Sequence, residues 1–196
     1  MSMHFLLIDN YDSFTFMLCD YIKQTGVECT VIRNDEESLL HLSPSEFDAL
    51  VISPGPSAPK DAGFMLLVLE RFVTQIPVLG ICLGHQAIGE LFGAQLLHAK
   101  LPRHGKVDWI QHEHDEMFLG LSNPFQATRY HSLILQNLPA CLLVTATCND
   151  EIMALKHRDL PVWALQFHPE SCETREGLKI LNNFTSLVKT LAANKI

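Results

Sequence analysis

The sequence predicts a three-layer α/β fold: an open mixed sheet, mostly parallel, with helices on both faces and antiparallel strands added at one side. Three observations predict it. In the first half, short apolar runs alternate with stretches of helical period. Within the apolar runs, polar residues do not alternate with apolar ones. The second half contains several short extended runs instead. Strands that are apolar on both faces are typical of parallel sheets covered by helices on both sides.

Four strands and three helices are predicted in the first half. The strands occupy residues 5–8, 29–32, 50–52 and 78–81, which are short aliphatic runs. The first helix has an apolar face made of Phe14, Met17, Leu18, Tyr21 and Ile22. The second has a face made of Phe64, Leu67, Val68 and Phe72, and the third covers residues 86–92. Asp12 or Ser13 is placed to cap the first helix, and Gly26 is placed to end it.

The second half predicts short strands and one long helix. Extended runs occupy residues 94–97, 107–111, 133–135, 142–146, 152–155 and 162–167. Pro, Gly, Asn and Asp separate these runs, which favours antiparallel strands. The last helix is amphipathic and carries Leu178, Leu181, Phe184, Leu187, Val188 and Leu191. Since no repeat or linker divides the chain, we expect residues 1–196 to form one domain.

Composition narrows the classes of function. The formal net charge is −8, and because an acidic surface repels phosphate backbones, we expect no nucleic-acid partner. No apolar run approaches the roughly 20 residues that a membrane span needs, and the N-terminus lacks the basic lead of a signal peptide. The 6 cysteines are dispersed without a C-x-x-C pair, which favours reduced thiols in a soluble cytoplasmic protein.

A cysteine lies where the fourth strand meets the third helix. Residues 80–86 read Gly-Ile-Cys-Leu-Gly-His-Gln, a nucleophile elbow with sulfur in place of the serine oxygen. Gly80 and Gly84 leave the room that a strained strand-to-helix turn requires. The helix N-terminus brings N–H groups and the positive end of its dipole near Cys82, which favours the reactive thiolate. The alternative is a structural cysteine, since buried cysteines are common in cores.

A cysteine nucleophile needs a base and a group that orients the base. Residues 167–171 read Phe-His-Pro-Glu-Ser and follow the last predicted strand. Pro169 favours a loop that returns Glu170 to His168. With 10 histidines in the chain, an arbitrary one is more often solvated or structural, but His168 alone has a proline and a carboxylate behind it at a strand end.

Acyl transfer also needs two N–H donors for the oxyanion. The residue after the nucleophile, Leu83, is placed to supply one donor. Residues 53–59 read Ser-Pro-Gly-Pro-Ser-Ala-Pro, and Gly55 can supply the other because its two proline neighbours have no N–H. An ordinary Pro-Gly turn is the alternative for this segment.

Residues 111–116 contain two histidines and three acidic residues, so a metal site is one possible interpretation. No predicted element supplies a third clustered ligand. We therefore expect a solvated turn there and no metal. Cys172 has no elbow before it and receives no role.

Together, the motifs around Cys82, His168 and Glu170 and the turn at 53–56 resemble the class I, or triad, glutamine amidotransferases. Residues 9–15 (Asp-Asn-Tyr-Asp-Ser-Phe-Thr), 104–106 (His-Gly-Lys) and 129–133 (Arg-Tyr-His-Ser-Leu) are similar to the glutaminase component, component II, of anthranilate synthase and of aminodeoxychorismate synthase. The resemblance covers about residues 5 to 185 and implies the fold of that family.

The resemblance implies a catalytic triad of Cys82, His168 and Glu170. Cys82 would attack the side-chain amide of L-glutamine, form a γ-glutamyl thioester and release ammonia. His168 would transfer protons, and Glu170 would fix its tautomer. Water would then hydrolyse the thioester to glutamate.

The resemblance also implies the groups that bind the substrate, and it implies no metal and no organic cofactor. The oxyanion-hole donors would be Gly55 and Leu83. The amino-acid end of glutamine would be held by Gly55, Gln86, Ser132 and Leu133. The family usually reads Gly-Pro-Gly in the oxyanion turn, and this chain has Ser57 at the last position. A positive φ at Ser57 would cost about 1–3 kcal/mol.

A chorismate-using synthase subunit is the implied partner in a hetero-oligomer, because the glutaminase fold accounts for nearly the whole chain. Residues 9–14 would form part of the docking surface. Tryptophan and folate biosynthesis both use such a subunit, and the sequence leaves that choice open. A stand-alone γ-glutamyl cysteine hydrolase of the same fold is the alternative. A non-enzymatic module on a degenerate fold is a third hypothesis, against which the complete triad argues.

Overall fold

The computed structural model describes residues 2–194. The strands are β1 His4–Asp9, β2 Glu28–Arg33, β3 Ala49–Ile52, β4 Val78–Ile81, β5 Gln95–His98, β6 Lys106–His112, β7 Phe125–Arg129, β8 Leu133–Gln136, β9 Leu142–Cys148, β10 Glu151–His157 and β11 Val162–Leu165. The α-helices are α1 Thr15–Gln24, α2 Met65–Phe72, α3 Leu83–Phe92 and α4 Gly177–Ala193. Short 3₁₀-helices lie at Glu37–Leu40, Pro44–Glu46, Pro59–Asp61 and Glu116–Phe118.

Within residues 2–194, one sheet contains nine strands in the order β2-β1-β3-β4-β11-β10-β9-β6-β7. The strands from β2 to β11 in this order pair in parallel. The strands from β10 to β7 pair antiparallel. The predicted fold class, a mixed and mostly parallel sheet with antiparallel strands at one side, is confirmed.

Helices cover both faces of the parallel strands. Because strand side chains alternate between faces, Leu7 and Val51 pack in one cluster with α1 and α4, whereas Leu6 and Leu50 pack in a second cluster with α2 and α3. These two clusters form the two interfaces of a three-layer structure. No helix within the described residues is both long and apolar enough to cross a bilayer.

Three strand predictions need correction. The run at 162–167 was expected among the antiparallel strands, but β11 pairs in parallel with β4 and antiparallel with β10. A hairpin fixes only one neighbour of a strand, and the other neighbour is chosen by packing. The runs at 94–97 and 133–135 form their own two-stranded sheet, β5 with β8, and do not extend the large sheet. Strand β7 was not predicted.

The predicted helix faces are partly wrong. Helix α1 buries Thr15, Leu18, Cys19 and Ile22, while Phe14 precedes the helix and Met17 is exposed. Helix α2 buries Met65, Val68, Leu69 and Phe72, and Leu67 is exposed. Helix α4 buries Leu181, Phe184 and Val188 as predicted, but also Ile180 and Thr185, which the apolar pattern did not include.

The C-terminal end of α1 follows the prediction, but the predicted cap by Asp12 or Ser13 is wrong, because Phe14 is the N-cap residue and no side chain caps the helix. Asp12 Oδ1 accepts a hydrogen bond of 2.8 Å from the Phe14 backbone N–H, just before the helix begins. Gly26 follows the C-cap residue Thr25 and has φ +85°, the left-handed conformation that ends a helix, as predicted.

Candidate active site

The parallel strands β1, β3, β4 and β11 end at the same edge of the sheet, where ligands bind in open α/β folds. Asn10 follows β1 and Ser53 follows β3. The Asn10 backbone N–H donates to Ser53 Oγ at 2.9 Å, and its side-chain amide donates to the Ser53 carbonyl at 3.0 Å. Both residues are buried. These bonds join the ends of β1 and β3. Strand β4, which lies beside β3, leads into Cys82.

Cys82 lies between β4 and α3 with φ +52° and ψ −97°. This backbone conformation is strained for a residue with a Cβ, as predicted for a nucleophile elbow. A Cβ at Gly80 would lie 2.4 Å from the Gly84 carbonyl oxygen, and one at Gly84 would lie 2.8 Å from the Ile52 carbonyl oxygen. Both contacts are with backbone, so both glycines are required for the turn to close, as the sequence predicts.

His168 and Glu170 meet as the sequence predicts, since His168 Nδ1 lies 2.6 Å from Glu170 Oε1. Both side chains are buried. The loop that carries them is tied to β7. The His168 N–H donates to the Thr128 carbonyl at 3.0 Å, and the Thr174 hydroxyl donates to the His168 carbonyl at 2.7 Å. Strand β7 therefore anchors the base, although the sequence did not predict that strand.

The electrostatics of His168 favour the imidazolium. Burial acts to lower the pKa of His168, but the negative charges of Glu170 and Cys82 prevail and raise the pKa well above its ordinary value. Among residues 2–194, His168 Nε2 has no hydrogen-bond partner. With Nδ1 engaged by Glu170, Nε2 is the ring nitrogen that remains available for proton transfer near the sulfur.

Aromatic residues cover the His168 ring. Tyr130 lies edge-on with its ring centroid 5.1 Å from that of His168, and Phe14 lies edge-on at 5.9 Å. Phe14 and Tyr130 also contact each other at 5.4 Å. The residue before α1, which the periodicity assigned to the core, thus packs against the base instead.

The turn after β3 approaches the elbow closely. A Cβ at Gly55 would lie 2.7 Å from Leu83 Cδ2 and 2.6 Å from Asn10 Cβ. Only glycine fits between these two side chains. Ser57 has φ +64°, so the strain that the sequence analysis attached to a positive φ at this position applies.

A pocket of about 140 Å³ lies over Cys82. It is lined by Gly55, Pro56, Ser57, Cys82, Gln86, Tyr130, His131, Ser132 and Leu133. All four residues named for substrate binding are in this set, and so is the predicted nucleophile. Leu83 lines an adjoining pocket with Ser57 and Asn10. His168 lines a wider cavity, of about 540 Å³, which shares Gly55, Pro56 and Tyr130 with the pocket over Cys82.

Gln166 is a buried neighbour of the sulfur that sequence reasoning missed. Its Nε2 lies 3.7 Å from Cys82 Sγ, and its Oε1 accepts from Gln86 Nε2 at 3.4 Å. The sequence signal that could have indicated Gln166 is its position two residues before the candidate base His168. Tyr130 and His131 were quoted as part of a motif but received no role.

The segment at 111–116 is solvated only in part, since Gln111, Glu113, His114 and Glu116 are exposed. His112 and Asp115 are both buried. His112 stacks beside Phe118 with ring centroids 5.0 Å apart, and Asp115 Oδ2 pairs with Lys156 Nζ at 2.6 Å. Among the described residues, no group of three or more His, Cys, Asp or Glu side chains could hold a metal ion.

An open α/β sheet with a cysteine on a strand-to-helix elbow and a histidine–glutamate pair beside it is typical of enzymes that use a cysteine nucleophile. The model of the class I glutamine amidotransferase family matches residues 6–187. The chain belongs to this family.

Similar proteins agree with this assignment. The chain is 47% identical over 182 residues to aminodeoxychorismate/anthranilate synthase component 2 of Bacillus subtilis, covering 91% of this chain and 94% of that protein. It is 46% identical to anthranilate synthase component 2 of Pseudomonas aeruginosa, with 91% and 93% covered. A crystal structure of a glutamine amidotransferase from Thermotoga maritima has the same fold, with a TM-score of 0.83 at 16% identity, covering 96% of this chain and 98% of that one.

Proposed function

We propose that this chain is the glutaminase subunit of a chorismate-using synthase. It hydrolyses L-glutamine through a thioester on Cys82 and delivers ammonia to a synthase subunit that forms anthranilate or 4-amino-4-deoxychorismate. The observation that carries the proposal is the 2.6 Å contact between His168 Nδ1 and Glu170 Oε1 in a loop beside the Cys82 elbow. The names of the similar component 2 proteins support the synthase partner.

In the first step the Cys82 thiolate attacks the side-chain carbonyl carbon of glutamine. The C–S bond forms, and the carbonyl oxygen becomes an oxyanion. The C–N bond then breaks as the leaving nitrogen takes the proton from His168 Nε2. The raised pKa of His168 supports this role, because the proton to be donated is already on the ring at neutral pH.

The oxyanion would lie between two backbone donors. Leu83 is the first residue of α3, so its N–H is one of those that have no partner within the helix. The close packing of Gly55 on Leu83 supports a second donor from the 53–57 turn. Both donors would be fixed before the substrate arrives.

In the second step water replaces ammonia. His168 accepts a proton from the water as the oxygen attacks the thioester carbonyl. The C–S bond breaks, glutamate leaves, and Cys82 returns to the thiolate. Glu170 stabilises the imidazolium in both steps by accepting from Nδ1.

Ammonia must leave without meeting bulk water, because at neutral pH it becomes ammonium and loses its nucleophilicity. The cavity of about 540 Å³ beside His168 is lined by residues 11–14, Gly55, Pro56, His104 and Tyr130. Tyr11, which lines the cavity, is 52% exposed, and Phe16, two residues after the lining residue Phe14, is 70% exposed. We propose this rim as the docking surface for the synthase subunit, since a partner bound there would close the cavity to bulk water.

The proposal includes one amidotransferase domain over residues 1–196 and a cytoplasmic location. The family match over 6–187 and the continuous nine-stranded sheet support the first. The presence of six cysteines without a disulfide supports the second, since reduced thiols persist in a reducing compartment.

The test compares glutamine-dependent and ammonium-dependent amination of chorismate. The purified chain is mixed with the synthase subunit encoded in the same genome, and product formation is followed with each nitrogen source. Cys82→Ser should lower the glutamine-dependent rate by about a thousandfold or more and leave the ammonium-dependent rate unchanged. Cys172→Ser, which alters an exposed cysteine, is the matched control.

Two results would contradict the proposal. Glutamine-dependent activity retained by Cys82→Ser would remove the nucleophile. An equal rate of glutamine hydrolysis with and without the synthase subunit would indicate a stand-alone hydrolase.

A further inference from the structure

Arg129 is a fully buried arginine that contacts His131, one of the residues lining the pocket over Cys82. Its guanidinium pairs with two carboxylates, that of Asp108 at 3.0 Å and that of Glu151. Its Nε–H donates to His131 Nε2 at 3.1 Å. A buried charge is costly unless it is paired, so these three contacts fix the guanidinium in one orientation.

The contacts of His131 determine its tautomer. An arginine can only donate, so His131 Nε2, facing Arg129 Nε, must be an acceptor without a proton. His131 Nδ1 lies 3.0 Å from the Leu133 carbonyl oxygen, which can only accept. The proton of the neutral ring is therefore on Nδ1. Burial and the positive charge of Arg129 also lower the pKa of His131 to about 4, which keeps the ring neutral at physiological pH.

The Leu133 carbonyl oxygen accepts a second hydrogen bond, from Gln86 Nε2 at 3.4 Å. This bond orients the Gln86 side chain, because only its nitrogen can donate to a carbonyl. The same nitrogen also donates to Gln166 Oε1 at 3.4 Å. With both amide hydrogens directed to these acceptors, Gln86 Oε1 remains to accept a hydrogen bond from a ligand such as an ammonium group.

We propose that His131, fixed in its Nδ1–H tautomer by Arg129, is a positioning residue for the side of the pocket that binds the amino-acid end of glutamine. It fixes the Leu133 carbonyl, and through that oxygen it orients Gln86. The role concerns substrate affinity and selection of an α-amino acid, not the chemistry at sulfur. The inference rests on the proposed glutaminase function.

The experiment separates binding from reactivity. Glutaminase kinetics are measured in complex with the synthase subunit, and alkylation of Cys82 by iodoacetamide is followed by peptide mass analysis with and without glutamine. For His131→Leu, KM for glutamine and the glutamine concentration that half-protects Cys82 should both rise tenfold or more. The kcat and the alkylation rate without glutamine should stay within about threefold.

His131→Asn tests the hydrogen bond itself. Asparagine places an amide near the position of the imidazole Nδ1, so it can still donate to the Leu133 carbonyl while losing the contact with Arg129. Its KM should lie between those of the unaltered protein and His131→Leu. His112→Asn is the matched control, because His112 is also buried and bonded to a carbonyl, with Nδ1 2.7 Å from Glu113 O, but lies outside the pocket.

The outcomes distinguish the two proposals. If glutamine does not protect Cys82 in the unaltered protein, the proposed function fails, and the positioning role fails with it. If glutamine protects the unaltered protein and folded His131→Leu or His131→Asn equally well, only the positioning role is overturned. A fall in kcat and alkylation rate at unchanged KM would also overturn it.

Discussion

A Cβ atom at Gly177 would lie 1.7 Å from the carbonyl oxygen of Pro169. Gly177 is the first residue of α4, and Pro169 separates His168 from Glu170. The C-terminal helix therefore packs its backbone directly against the loop that holds the base and its carboxylate. No side chain fits in this contact, so the position of the triad loop depends on a glycine that contacts no substrate.

Gly177→Ala should therefore lower both stability and activity. In an exposed helix position the same change stabilises by up to about 1 kcal/mol, whereas a clash with backbone costs about 1–3 kcal/mol. We expect the free energy of unfolding in urea to fall and kcat for glutamine to fall tenfold or more, because the 2.6 Å contact between His168 and Glu170 is displaced. Lys189→Ala, at an exposed site on α4, is the control. Unchanged kcat would show that the loop does not depend on this contact.

Ser57 offers a second test of backbone conformation. Its φ of +64° is open to glycine and disfavours β-branched residues strongly. Ser57→Gly should keep full activity and a stability within about 1 kcal/mol of the original. Ser57→Val should cost about 1–3 kcal/mol and reduce kcat, because it distorts the turn that carries Gly55.

Ser57→Ala separates the hydroxyl from the backbone. It keeps a Cβ at the same φ, so it should resemble the unaltered protein in both unfolding and kinetics. If Ser57→Val and Ser57→Ala behave alike, the conformation of this residue does not limit the turn.

Two buried histidines make stability dependent on pH. Burial is the main cause that lowers the pKa of His85 to about 3 and that of His131 to about 4. The unfolded chain, with ordinary histidines near pH 6.5, binds more protons than the folded one below that pH. The contribution of these two histidines to the free energy of unfolding should therefore be complete above about pH 6.5. It should fall as pH decreases, for His131 down to about 4 and for His85 down to about 3.

His85→Leu removes one of these titrations. The decrease in unfolding free energy between pH 6.5 and 4 should become shallower by up to about 1.4 kcal/mol per pH unit, as measured by urea unfolding at several pH values. His41→Gln changes an exposed histidine and should leave the slope unaltered. The raised pKa of His168 has the opposite sign, since its contribution is present at low pH and lost only as pH rises through that value, so it does not affect this window. Equal slopes for His85→Leu and the unaltered protein would contradict the assignment.

Phe16 tests the proposed docking surface. It is 70% exposed on α1, two residues after Phe14, which lines the cavity beside His168. Phe16→Ser should weaken the complex with the synthase subunit by tenfold or more in a titration, and should not change glutamine hydrolysis by the isolated chain. Leu119→Ser, which alters an exposed apolar residue that lines a different cavity, is the control. Equal loss in both variants, or none in Phe16→Ser, would place the partner elsewhere.

Several features of the fold and site follow from residues near each other in sequence. The elbow at Cys82 could be predicted because Gly80 and Gly84 flank it within a single turn of chain. The pairing of His168 with Glu170 could be predicted because one proline separates them. In such cases the covalent spacing limits the geometry to a few arrangements, and residue type selects among them.

Tertiary packing decided the rest. The apolar period assigned Phe14 to the core, but the arrival of β11 beside β4 gave it a place against His168 and Tyr130. Gln166 and Arg129 gained their roles from partners 21 to 84 residues away, which no local pattern encodes, and His131 gained its role from its hydrogen bond to the buried Arg129. Residue spacing constrains only the nearby backbone, whereas contacts between distant segments depend on which faces of strands and helices the whole core can bury together.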